Sequence, residues 1–132
     1  MKKRTFLVVG ILLLVCSLIF IFYQGKMVNV YIGSTGDTDI YGIDMLVKIN
    51  EKNVWEGNIH SGLFNYTNIK EKFKIGYNTI EVISKKKNIV AKKRVFISFN
   101  QHIVIEFMPI HRLVRDKPEF EIWIRRGKFY YE

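Results

Sequence analysis

The chain has 132 residues and a formal charge of +9, from 21 Lys and Arg against 12 Asp and Glu. Its single cysteine, Cys16, lies in an apolar run, which excludes an internal disulfide and leaves packing alone to hold the fold. The 106 residues after the first 26 amount to one small domain and are too few for two independent cores.

Residues 1–4 form a basic tail, and Thr5 to Tyr23 follows as nineteen residues without a charge, fourteen of them Leu, Ile, Val or Phe. As a helix rising about 1.5 Å per residue, this run covers about the 30 Å of a bilayer's hydrocarbon layer. A charged start followed by an apolar segment is also the pattern of a secretory signal, so three fates compete. Cleavage after Ser17 would leave Leu18 to Phe22 as an exposed apolar start. Lipid attachment at Cys16 would make the protein a lipoprotein, yet Val15 precedes the cysteine where a small residue belongs, and no polar tether follows. The expectation is therefore an uncleaved signal-anchor helix over 5–23 and a short linker over 24–26. Lys2, Lys3 and Arg4 precede the helix and only Lys26 follows it closely. That asymmetry keeps the amino end cytoplasmic and places 27–132 outside, in a single-pass topology. The absence of an acidic residue before Asp37 argues against a pilin-like helix.

From Met27 onward the period is two. Val28, Val30 and Ile32 share a face, and after the turn-rich stretch Gly33 to Asp39 the set Ile43, Met45, Val47 and Ile49 marks the clearest strand. Asn50 to Asn53 reads as a hairpin turn into Val54 to Ile59. His60 to Lys72 has no firm period and reads as loop with a possible helical turn. Phe73 to Val82 gives strand, turn, strand, and Lys85 to Asn88 leads into a strand whose inward set is Ile89, Ala91, Val95, Ile97 and Phe99. Lys93 breaks that set, which a β-bulge over Lys92 to Arg94 or a place at the rim would resolve. Asn100 to His102 reads as a turn; Ile103, Ile105 and Phe107, then Phe120, Ile122 and Ile124, complete the alternation. Seven or eight strands without an amphipathic helix predict an all-β antiparallel sandwich, immunoglobulin-like or transthyretin-like, behind one transmembrane helix. The antibody type is excluded because its cysteine pair is absent.

Chemistry has few seats. Asp37-Thr38-Asp39-Ile40-Tyr41-Gly42 resembles the opening of a calcium loop, but position five is Tyr41 and position twelve is Lys48 where a Glu should complete the charge. His60, His102 and His111 lack the spacing of a metal set, and no nucleophile elbow, phosphate loop or dinucleotide fingerprint occurs. Glu119 and Glu121 fall on one strand face as a solvated stripe. The expectation is a domain that is not an enzyme and needs no cofactor or metal.

Two basic regions could meet an anionic partner: Lys85, Lys86, Lys87, Lys92, Lys93 and Arg94 on one hairpin, and Arg125, Arg126 and Lys128 near the end. The competing reading is a charged edge that stops sheets from adding to one another, and it is favoured. Trp123, Tyr130 and Tyr131 would supply aromatic contacts if they share a surface. The expected partner is a protein or envelope polymer, with oligomeric state open. Nucleic acid is not expected, because the domain would lie outside the cytoplasm. A binding or structural module at the cell envelope follows, with a subunit of a membrane-embedded secretion or envelope complex as the alternative.

Overall fold

The computed structural model describes residues 2–36, 42–60, 65–109 and 117–127. Helix α1 spans Lys2–Gln24, and eight strands follow: β1 Lys26–Ser34, β2 Ile43–Ile49, β3 Lys52–Ile59, β4 Thr67–Phe73, β5 Gly76–Ser84, β6 Ile89–Ile97, β7 Gln101–Met108 and β8 Glu119–Arg126. They form two four-stranded sheets, β4-β1-β7-β8 and β3-β2-β5-β6. This is the all-β sandwich that the alternating pattern predicts. Every pairing is antiparallel except β1 with β7, which is parallel. In immunoglobulin constant-type order the first two strands share a sheet. Here β1 and β2 lie in opposite sheets, so that half of the expectation is corrected.

The core lies between the sheets and is built from the alternate residues picked out by period two. Val28, Val30 and Ile32 of β1 and Ile103, Ile105 and Phe107 of β7 face Met45, Val47, Ile80, Val82 and Ile97 of the other sheet, each at most 3 % exposed. Each such side chain stabilises the fold by about 1.5–3 kcal/mol relative to exposure.

Several turns have local causes. Asn50 and Glu51 both take positive φ, 47° and 70°, between paired Ile49 and Lys52. A two-residue turn of that kind matches the right-handed twist of the flanking strands. The register shift falls between Val47 and Lys48, where Val54 of β3 is the extra residue. The β5–β6 ladder runs without a shift from Gly76↔Ile97 to Ser84↔Ile89, so the bulge proposed at Lys92 to Arg94 is not there. The segment read as loop over His60 to Lys72 holds all of β4 but Phe73, and the turn read over Asn100 to His102 ends at Asn100, whose φ is 58°.

Helix α1 reaches β1 through a single residue, Gly25, at φ 68°. Its described large hydrophobic side chains are all exposed, from Tyr23 at 89 % to Val15 and Leu18 at 47 %, and they occupy every side of the helix. Among the described residues no helix is long and apolar enough to cross a membrane; side chains of the run are described continuously only over 6–20. The expected span over 5–23 therefore does not stand on those side chains. Cys16 is exposed on this helix.

Candidate functional site

Strands β6 and β8 are the edges of the two sheets on one side of the sandwich, and they lie against each other there. An edge strand carries backbone donors and acceptors that its own sheet leaves unused. Lys93 sits on the inward-facing register of β6, together with Ile89, Ala91, Val95 and Ile97. A lysine cannot enter the apolar core without a partner, and at the rim its stem can instead reach across. Its Nζ donates to the Ile122 carbonyl of β8 at 2.7 Å. The rim placement thus resolves the break in the inward pattern.

Around this bond the two edges form an open groove of about 360 Å³, lined by Ala91, Lys92, Phe120, Glu121 and Trp123 besides the bonded pair. Lys92 and Arg94 alternate with Lys93 and therefore face the outer side of the second sheet. Lys92 stands opposite Glu81, which pairs with Lys48 at 3.7 Å, and the Arg94 guanidinium lies 4.3 Å from the centre of the Tyr77 ring. Trp123 is half-buried on β8 with the Arg125 guanidinium 5.4 Å from its ring centre. Arg126 is exposed at the last position of β8. Lys85, Lys86 and Lys87 are exposed on the β5–β6 turn at the far end of the same side.

The two basic regions thus lie on neighbouring edge strands but project differently: Lys92 and Arg94 from the outer side of the second sheet, and Arg125, in the outward register of Glu121 and Trp123, from the outer side of the first. Lys128, Tyr130 and Tyr131 lie outside the described residues, as do His111 and the stretch 37–41 of the calcium-like loop. Among the described residues no group of three His, Cys, Asp or Glu is placed to hold a metal ion.

The distal turn is organised by Asp44 of β2. Its carboxylate accepts from Ser84 Oγ at 2.6 Å, from the Lys85 amide at 2.8 Å and from the Lys86 amide at 3.2 Å, while Ser84 Oγ accepts from the Lys87 amide at 3.2 Å. Burial alone would raise the pKa of Asp44. The Ser84 hydroxyl, the two amides and the Lys86 charge outweigh it and hold the carboxyl below its ordinary 3.8. This network fixes where three lysines project.

A second constellation lies on the outer face of the first sheet and was not visible as a site in the sequence. β7 is buried on both faces from His102 to Phe107, although Val104 and Glu106 hold its outward register. Glu106 is 4 % exposed, accepts from the Tyr66 hydroxyl through Oε1, and stands directly opposite Glu121 of β8. Oε2 of Glu106 has no hydrogen-bond partner among the described residues. Beside them the rings of Tyr31 and His102 meet edge to face at 5.6 Å. Glu119 and Glu121 are thus unlike each other: the first is exposed, the second half-buried beside a buried carboxylate. The signal available was a lone charge in Ile103-Val104-Ile105-Glu106-Phe107, an otherwise apolar strand.

No family model, no curated protein and no solved structure matches this chain.

Proposed function

We propose that this is a membrane-anchored, non-catalytic extracytoplasmic module that presents its β6–β8 side to an anionic protein or polymer of the cell envelope. We read the sandwich as transthyretin-like, and the place of β1 between β4 and β7 supports that reading. The anchor rests on the sequence, the uncharged run from Thr5 to Tyr23, of which the described side chains in α1 are exposed and apolar on every side. A helix that is hydrophobic all round needs an apolar surrounding on all sides, and an aqueous one would leave more than half the surface of most of its side chains wet. The uncharged sequence from Thr5 to Tyr23 has the length for that surrounding to be a bilayer.

What supports an anionic partner is the number of exposed cations on this side, Lys85–Lys87 on the β5–β6 turn, Lys92–Arg94 on β6 and Arg125 and Arg126 on β8. Two experiments test the reading. Protease added to intact cells or spheroplasts should remove the domain; protection of the domain there overturns the orientation. Crosslinking in the native membrane through the β6–β8 side should capture the partner, and charge-reversed Lys92→Glu with Arg94→Glu should lose it. Replacing residues 1–24 by an unrelated apolar helix should leave the interaction intact. Its loss in that chimera would favour a complex in which α1 makes specific contacts.

A further inference from the structure

We infer that the helix-proximal end of the sandwich is itself a membrane-contacting surface, seated in the anionic headgroup layer around the point where α1 enters; this rests on the anchor reading. The end is defined by the ladder positions nearest Gly25: Lys26↔Phe73 in one sheet, Gly76↔Ile97 and Ile49↔Lys52 in the other, and Gln101↔Arg126 at the edge. Outside the helix, the large hydrophobic side chains exposed among the described residues are Met27, Tyr77, Val90, Phe96 and Phe99. All but Val90 lie at this end. They are 51 to 66 % exposed, and no strand or loop among the described residues covers them.

Their surroundings are cationic. Lys26 Nζ lies 5.5 Å from the centre of the Phe99 ring and the Arg94 guanidinium lies over Tyr77, which meets Phe96 edge to face at 5.2 Å. Exposed Lys72, Lys74 and Arg126 complete the ring, against Glu51 in the hairpin turn and half-buried Glu71. Aromatic rings with a cation beside them suit the boundary between hydrocarbon and headgroups, where the ring is half solvated by lipid and the charge meets phosphate. Basic residues near an anionic surface each contribute about 1 kcal/mol, roughly fivefold in binding.

Position supplies the second argument. One residue separates the helix from β1, so if α1 spans, this end cannot stand more than a few ångströms from the interface. The end is also rigid. Asn78, 1 % exposed, donates to the Lys74 and Gly76 carbonyls at 2.8 and 3.0 Å and accepts from Asn50 Nδ2 at 2.9 Å, while Asn50 Oδ1 accepts from the Thr79 amide at 2.9 Å. The β2–β3 and β4–β5 turns are thereby held at one level, as a surface that seats on a plane requires.

The test uses the full chain in phosphatidylglycerol vesicles, in a Cys16→Ser background, with single nitroxide labels introduced by Leu13→Cys, Asn100→Cys or Lys86→Cys. Collision with a water-soluble relaxant should be least at 13, intermediate at 100 and greatest at 86. A shielded label at 13 with labels at 100 and 86 equally open to water overturns this inference and leaves the anchor standing. A water-open label at 13 overturns both. The exposed double variant Phe96→Ser with Phe99→Ser should move the label at 100 into water, and Lys74→Ala with Arg94→Ala should weaken the seated state about fivefold for each charge removed. No change in either variant overturns the assignment of these side chains, and no shallower seating in phosphatidylcholine vesicles overturns the role of the cations.

Discussion

Lys93 of β6 and Ile122 of β8 join the two sheets at their open edges through one 2.7 Å bond from an ammonium to a backbone carbonyl. The same contact does two things. It satisfies an acceptor that β8 cannot pair within its own sheet, and it places a positive charge where another strand would have to add. Replacing Lys93 by Met keeps most of the stem and removes the donor. The expected cost is about 0.5–1.5 kcal/mol of stability, which urea titration will read. The variant should also self-associate at concentrations where the parent is monodisperse, measured by sedimentation, because a cation no longer guards the β6–β8 edge.

Asp44 sets a pH dependence whose sign follows from its hydrogen bonds. Its carboxyl is held below 3.8 in the fold, with the Ser84 hydroxyl and the Lys85 and Lys86 amides outweighing burial. A depressed folded value means that the ionised form is favoured by folding. The stabilisation is present above the unfolded value and is lost as pH falls through the folded one. Asp44→Ala should cost about 1 kcal/mol at pH 7. The gap between variant and parent should close in acid, below about pH 4, as the parent's carboxyl becomes protonated. A gap unchanged down to the acid limit would mean that shape alone, and not charge, organises the turn.

How much of this was legible depends on what the strand faces. Ile43 to Ile49 alternates cleanly because β2 is a central strand with one face on the core and one half-exposed, and its bounds are those the period predicts. β4 was missed because an edge strand carries less of the core: in Thr67-Asn68-Ile69-Lys70-Glu71-Lys72-Phe73 only Phe73 is buried, and Glu71 interrupts the inward set. At Lys93 the broken inward set allows a bulge or a place at the rim, and the unshifted β5–β6 ladder leaves the rim, where the long side chain turns out. The β6–β8 side could not be seen at all. Its residues lie about thirty positions apart, and which strands become edges is decided by the sheet order, a non-local outcome that period two does not encode.

The buried carboxylate on the outer face makes a coupled pair of predictions. Tyr66→Phe removes the hydroxyl that Glu106 accepts from and leaves a carboxylate, 4 % exposed, short of a donor. The expected cost is about 1–3 kcal/mol. A methyl group added at Gly33 would meet the Tyr66 ring at 2.6 Å, so Gly33→Ala should displace that ring and loosen the same bond. The double variant should therefore cost less than the two single costs together, because the second change acts on an interaction already lost. Strict additivity in denaturant titrations would show that ring placement and carboxylate are independent.

Gly25 is the joint between α1 and β1, and two glycines allow its role to be isolated. At φ 68° a side chain is strained by about 1–2 kcal/mol, and a Cβ here would meet the Phe73 carbonyl oxygen at 2.5 Å, a backbone atom that β1–β4 pairing holds in place. Gly25→Ala should therefore destabilise the domain by more than the conformational strain alone, since Lys26↔Phe73 must shift to relieve the contact. Gly10 has nothing within 4 Å of where its Cβ would stand and lies inside the helix, so Gly10→Ala should leave the domain untouched and favour α1 by up to about 1 kcal/mol. Both variants should be compared as full chains in detergent micelles. Thermal loss of the β signal reads the first, and helical ellipticity after the sheets have melted reads the second. An early loss of β structure in Gly25→Ala, with helicity unchanged, is the expected result. A Gly25→Ala chain that melts like the parent would mean that the β1–β4 ladder can slide to accept a side chain, and the joint would then be a flexible tether and not a fixed one.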